Sequence, residues 1–222
     1  MTVILVLTLF LAFIALDYAL NRRKATQPRP VGVVRTRPLE GLLRYVEGFL
    51  TPENFRYHPG HTWLARERKN LVRVGVDEFA AVLAGPLEKI ELPKPGHWIR
   101  QGQKAWAFTR DGERTEMVSP IEGEILEVNS EVLKNPSLLR QDPYGRGWLM
   151  TVFVPDEEST ARNLVPEGLV AGWMRDAVQR LYARQPALAG AVAADGGRPA
   201  DDVFAALPDA SWHELTREFF LT

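Results

Sequence analysis

The chain has 222 residues, 45% of them hydrophobic and 25% charged, which is the composition of a folded rather than a disordered protein. Its 27 Lys and Arg nearly balance 28 Asp and Glu, for a net charge of -1, which excludes a strongly basic nucleic-acid binder. The absence of cysteine excludes a disulfide framework, a thiolate metal site and a Cys nucleophile.

Residues 3–16 read VILVLTLFLAFIAL, with Thr8 the one polar side chain. As a helix, residues 2–20 would be about 28 Å long, close to the hydrocarbon thickness of a bilayer. No Lys or Arg precedes the run, as a cleaved signal peptide would require, so the segment reads as an uncleaved anchor over residues 1–21. Six cations follow with no acid among them: Arg22, Arg23, Lys24, Arg29, Arg35 and Arg37. The positive-inside rule then places the N-terminus outside and the rest of the chain in the cytoplasm, at the inner membrane.

Residues 22–56 read as a basic, Pro-rich linker followed by a short helix. Pro28, Pro30 and Pro38 stiffen the first part. Leu39, Leu42, Leu43, Val46, Phe49 and Leu50 share one helical face, between Pro38 and Pro52. Such a face is expected to pack on the following domain.

Residues 57–154 predict short strands separated by turn signals. Val72, Val74 and Val76 alternate as in a half-buried strand. Asp77 is placed to cap a helix over residues 78–84, closed by Gly85 and Pro86. Lys94-Pro95-Gly96 predicts a turn. Two strands, 104–109 and 114–119, flank Arg110-Asp111-Gly112-Glu113, and Asp-Gly between strands is a strong tight-hairpin signal. Residues 95–99 and 120–125 echo one another on either side of that hairpin, which suggests a flattened barrel with approximate two-fold symmetry. Pro136 should break a helix over residues 130–140.

On these residues the chain resembles the H protein of the glycine cleavage system, a lipoyl carrier. The resemblance rests on His61-x-Trp63, Gly85 with Leu92-Pro93-x-x-Gly96, and Ser119-Pro120-x-x-Gly123-Glu124-Ile125-x-Glu127-Val128-Asn129. Asn135-Pro136-x-Leu138-Leu139 and Asp142-Pro143-Tyr144-Gly145-x-Gly147-Trp148-Leu149 complete it. It implies a mainly β fold with flanking helices (α+β), a lipoyl/biotinyl-type flattened β-barrel or barrel-sandwich hybrid. That domain would span residues 57–184, preceded by one transmembrane helix. The family carries its lipoyl group on a hairpin lysine eight residues before the proline that is Pro120 here, a position that falls on Gly112. No lysine occurs from Ala105 to Leu133. The expectation is therefore a module without cofactor or metal, not an enzyme. It would act as a binding or scaffold subunit of a membrane-associated complex with protein partners and no nucleic acid. Arg110, Asp111, Gly112, Glu113 and Arg114 are its candidate partner contact. The alternative is a lipoyl-dependent carrier of an aminomethyl or similar intermediate.

The remaining signals are weaker. Residues 166–184 predict a helix with Leu169, Val170, Trp173, Ala177 and Leu181 inward. Residues 185–222 form an acidic helical tail with six acids and two cations, whose Phe204, Trp212, Phe219 and Phe220 would serve as docking anchors. His58 and His61 lack a third ligand at metal-site spacing. Trp63, Trp98, Trp106 and Trp148 read as packing residues. Asp111, Glu113 and Glu116 read as solvated carboxylates with nothing to shift their pKa values.

Overall fold

The computed structural model describes residue 12, residues 44–184 and residues 211–221. The chain divides into two units, Met1–Leu39 and Glu40–Thr222. The expected anchor lies outside the described residues, apart from Ala12, as do Leu39, Leu42, Leu43 and Phe204. Among the described residues, no helix is long and apolar enough to cross a membrane.

The second unit is mainly β, with helices at its rim. Two short strands come first, β1 (Tyr45–Val46) and β2 (Phe49–Leu50). A six-stranded antiparallel sheet contains β3 (Arg56–His58), β4 (Thr62–Arg68), β5 (Leu71–Val76), β7 (Trp98–Ile99), β10 (Gly123–Val128) and β11 (Met150–Phe153). Their spatial order is β3-β4-β5-β11-β10-β7. A three-stranded sheet contains β6 (Lys89–Glu91), β8 (Lys104–Arg110) and β9 (Glu113–Val118), in the order β6-β8-β9. The echoing segments meet each other: Ile99 pairs with Gly123 and Trp98 with Glu124. Alternation decides what enters the core. Ile125 and Val152 are fully buried, while Glu124 and Phe153 beside them face outward.

The helices start and stop where their caps lie. Helix α1 (Glu78–Ala84) begins at Asp77, whose Oδ1 accepts from the Ala80 amide at 2.8 Å, and ends at Gly85 with φ 69°. Asn129 caps α2 (Ser130–Lys134), and α3 (Leu138–Gln141) restarts beyond Pro136. A short α4 (Glu157–Ala161) and a 3-10 turn (Glu167–Leu169) lead into α5 (Val170–Arg184). Helix α6 (Trp212–Phe220) closes the chain, its amide at Glu214 bound by the Ser211 hydroxyl at 3.4 Å.

Several expectations are corrected. The part of the predicted 39–50 helix that is described forms the β1–β2 hairpin. Glu47 and Gly48 take φ of 50° and 85°, both left-handed, and the Thr51 amide closes the loop on the Arg44 carbonyl at 2.7 Å. The packing survives the change, since Val46 and Phe49 are buried and Phe49 sits 5.2 Å from Phe79. Trp98 is not a packing residue but is 50% exposed, and Leu169 also faces outward. Trp63 is fully buried as expected, donating its Nε1 hydrogen to the Pro143 carbonyl. Gly75 is required beneath it, because a Cβ there would lie 2.3 Å from the Trp63 ring. The acidic tail is no free docking arm over its described part: Trp212, Leu215, Phe219 and Phe220 are all buried in this domain's own core.

Candidate functional site

The hairpin expected to carry partner contacts is built by β8 and β9. Arg110 faces Glu113 across a two-residue turn, with Asp111 and Gly112 at φ 50° and 77°. Both central residues are left-handed, the condition that favours Asp-Gly in a tight hairpin. A Cβ built on Gly112 meets nothing within 4 Å, so space does not demand glycine there although the backbone does.

Only part of the predicted contact surface is available. Arg110 is 7% exposed, with its guanidinium on the Ala84 carbonyl at 3.4 Å and on Asp111 at 3.2 Å. It anchors the tip to the end of α1 and is removed from the candidate surface. The Gly112 amide donates to Glu88 at 3.4 Å. Arg114 bridges Glu91 at 3.1 Å and Glu116 at 2.9 Å, and Lys104 reaches Glu116 at 3.0 Å. Hydrogen bonds from Arg114 and Lys104 hold the Glu116 carboxyl below the usual carboxylate range, and those from Lys89 and Arg114 do the same for Glu91. Glu116 is therefore tied into a charge ladder instead of being a free solvated acid. Lys89 was missed by reading the hairpin alone. It sits on β6 opposite Thr109, beside the tip, with its amine 2.7 Å from Glu91.

A second constellation is enclosed. His61 Nδ1 lies 2.8 Å from Asp77 Oδ2, both side chains fully buried. The ring is stacked between Phe79 at 4.3 Å and Trp173 at 4.6 Å, and Phe219 of α6 closes the edge at 6.1 Å. His58 is 8% exposed, and its Nδ1 accepts from the Gly60 amide at 3.1 Å. Burial, and then the electrostatic influence of nearby His61, lower the His58 pKa to about 4. No group of three or more metal-ligating side chains is assembled among the described residues. A cleft of about 470 Å³ lies elsewhere, with Val46, Phe55 and Tyr57 as apolar lining and Arg44, Glu53 and Glu167 as charged lining. Burial pushes the Tyr57 phenol well up, so it stays protonated and donates to the Pro52 carbonyl at 2.9 Å.

Residues 55–176 match the family model described as glycine cleavage H-protein. The glycine cleavage system H protein of Carboxydothermus hydrogenoformans is 30% identical over 118 residues, 53% of this chain and 90% of that protein. The H protein of Streptomyces coelicolor is 33% identical over 106 residues, 48% of this chain and 85% of that one. A crystal structure of an H protein from Mycobacterium marinum superposes with a TM-score of 0.49 at 27% identity, covering 55% of this chain and 97% of that one. The match includes the β8–β9 hairpin, the His61–Asp77 pair and the first half of α5, and it ends before α6. With more than half of its residues matched, the chain belongs to the glycine cleavage H-protein family.

Proposed function

We propose that this chain is an H-protein-like module that carries no lipoyl group and works by contact rather than by catalysis or group transfer, held at a membrane by residues 1–21. The observation that carries this reading is the chemistry of the tip. A lipoyl amide needs a primary amine, and the two turn residues are Asp111 and Gly112. The neighbouring Arg110 and Arg114 are guanidinium groups, already engaged with Ala84, Asp111, Glu91 and Glu116. The tip does not fit the group. What remains outward at the tip is Asp111, Gly112, Glu113 and Arg114. The membrane part of the reading rests on the sequence of residues 1–37, and protein partners follow from a module that has only surfaces to offer.

The carrier reading keeps specific support. The relatives above are named as glycine cleavage system H proteins, which favours it over a scaffold. Lys89 also places an exposed amine next to the tip on the adjoining strand. Intact mass of the protein isolated from its own cells separates the two. An unmodified mass is expected. A mass increase equal to a lipoyl amide, mapped to Lys89 or any other lysine, establishes the carrier and ends the scaffold reading. Reporter fusions after Lys24 and Thr222 test the membrane part, with cytoplasmic signals expected at both.

A further inference from the structure

The outer face of the six-stranded sheet presents a second surface, remote in sequence from the hairpin tip. Trp98 on β7, Glu124 on β10 and Phe153 on β11 are register partners on three adjacent strands, so their side chains leave the same face of the sheet. All three are exposed: Trp98 at 50% and Phe153 at 39%, against buried Ile99, Ile125 and Val152 on the opposite face. Leu126, 47% exposed at the bulge between Ile125 and Glu127, extends the patch. Natural sheets seldom leave two large aromatic side chains and a leucine together in water without a use for them.

The slot has definite chemistry. Neighbouring strands lie about 4.8 Å apart, so Trp98 and Phe153 stand about 10 Å apart across β10, with a carboxylate between them. That separation leaves room for one side chain between the two aromatic residues. The Trp98 ring is steadied by its Nε1 hydrogen on Glu122 at 3.4 Å. Glu122, Glu124 and Glu127 are all exposed here, and no described cation pairs with any of the three. Three uncompensated carboxylates repel phosphate, which excludes nucleic acid and anionic headgroups as occupants. Aromatic residues on both sides of a carboxylate favour a guanidinium, which can stack on a ring and pair with the acid.

We propose that this face docks a cationic segment of a partner protein, with an arginine side chain seated between Trp98 and Phe153 over Glu124. The site is separate from the hairpin tip and does not depend on whether the chain carries a lipoyl group.

The test uses the full chain in nanodiscs of zwitterionic lipid, with empty discs as the blank. The probe is a labelled peptide, acetyl-Thr-Val-Arg-Val-Thr-amide, followed by fluorescence anisotropy. Saturable, salt-sensitive binding is expected, weakened about tenfold or more by Trp98→Ala and by Glu124→Lys. The same peptide with Gln or Glu for Arg should bind the native chain at least about tenfold more weakly, and Glu124→Lys should gain affinity for the Glu peptide. Both substitutions lie on the surface, and unchanged thermal midpoints confirm that the variants fold. The proposal is overturned by no binding at millimolar peptide, by equal binding of the Arg and Gln peptides, or by variants that bind as the native chain does. Self-association of the chain that Glu124→Lys abolishes would also overturn it, by assigning the face to a second copy.

Discussion

The β8–β9 tip and helix α6 differ in what their residues touch. At the tip, Asp111 is 81% exposed along its side chain and Arg114 is 52% exposed, and the ion pairs of both are with neighbouring charged side chains. In α6, Trp212 donates to the Ala84 carbonyl at 3.2 Å, Phe219 lies 5.1 Å from Phe79, and Phe220 faces Phe108 at 6.4 Å. The tip and the helix converge on the same spot, because Arg110 and Trp212 both use the Ala84 carbonyl. The C-terminal aromatic side chains thus complete the core, while the turn with few apolar atoms stays outside. Aromatic residues in an acidic tail do not by themselves mark a binding arm. What separates the two roles is whether the host domain has an uncovered apolar face to receive them.

The largest expected effect attacks the buried side of that contrast. Phe219→Ala should destabilise the domain by about 3–5 kcal/mol, since it empties a fully enclosed site against Phe79 and the His61 edge. Urea unfolding read by tryptophan fluorescence measures it. A change of less than about 1 kcal/mol would mean that α6 is dispensable to the core, and would restore the tail as a free element.

The next effect uses pH in the same region. His58 has an ordinary pKa of 6.5 and is lowered to about 4 in the folded protein. Between those values the unfolded chain takes up a proton that the folded chain does not. Stability is therefore full above about pH 6.5 and falls as the pH drops, levelling off below about pH 4. The upper bound is about 3 kcal/mol. His58→Gln should flatten this part of the profile when urea midpoints are compared at neutral and mildly acid pH. A native profile that is already flat there would show that His58 is not sealed in.

Much of this architecture was readable beforehand, and the misses have physical causes. Asp77, Gly85, Gly96, Asp111-Gly112 and Pro136 act locally, through caps, left-handed φ or a missing amide, so the sequence carries their effect directly. The β1–β2 hairpin was missed because six apolar residues gave a helical period, while Glu47-Gly48 is a rarer partner pair for a tight turn than Asn-Gly. The burial of Arg110 was invisible because it depends on Ala84, 26 residues away. Lys89 escaped notice for the same reason, since only strand pairing brings it to Thr109. The exposed Trp98–Glu124–Phe153 row likewise needs three strands in register before it exists.

The tip itself supplies the smaller effects, and two arginines four positions apart should behave differently. Arg110→Ala should cost about 1–2 kcal/mol, because its buried stem and its hydrogen bond to Ala84 are both lost. Arg114→Ala should cost no more than about 0.5 kcal/mol, because its partners Glu91 and Glu116 sit in water and solvent screens all three. The small Arg114 effect should shrink further at high salt, whereas the Arg110 effect should persist. Removing Arg114 also withdraws a hydrogen bond that favours the charged form of Glu91 and of Glu116, so both carboxyl groups should titrate at higher pH, detectable by NMR of their side chains. Glu116 should move less than a wholly unpaired acid would, because Lys104 still reaches it at 3.0 Å. Equal losses of stability for the two variants, both insensitive to salt, would mean that the tip is packed as firmly as α6. The outward residues Asp111, Gly112, Glu113 and Arg114 would then have to be withdrawn as a contact surface.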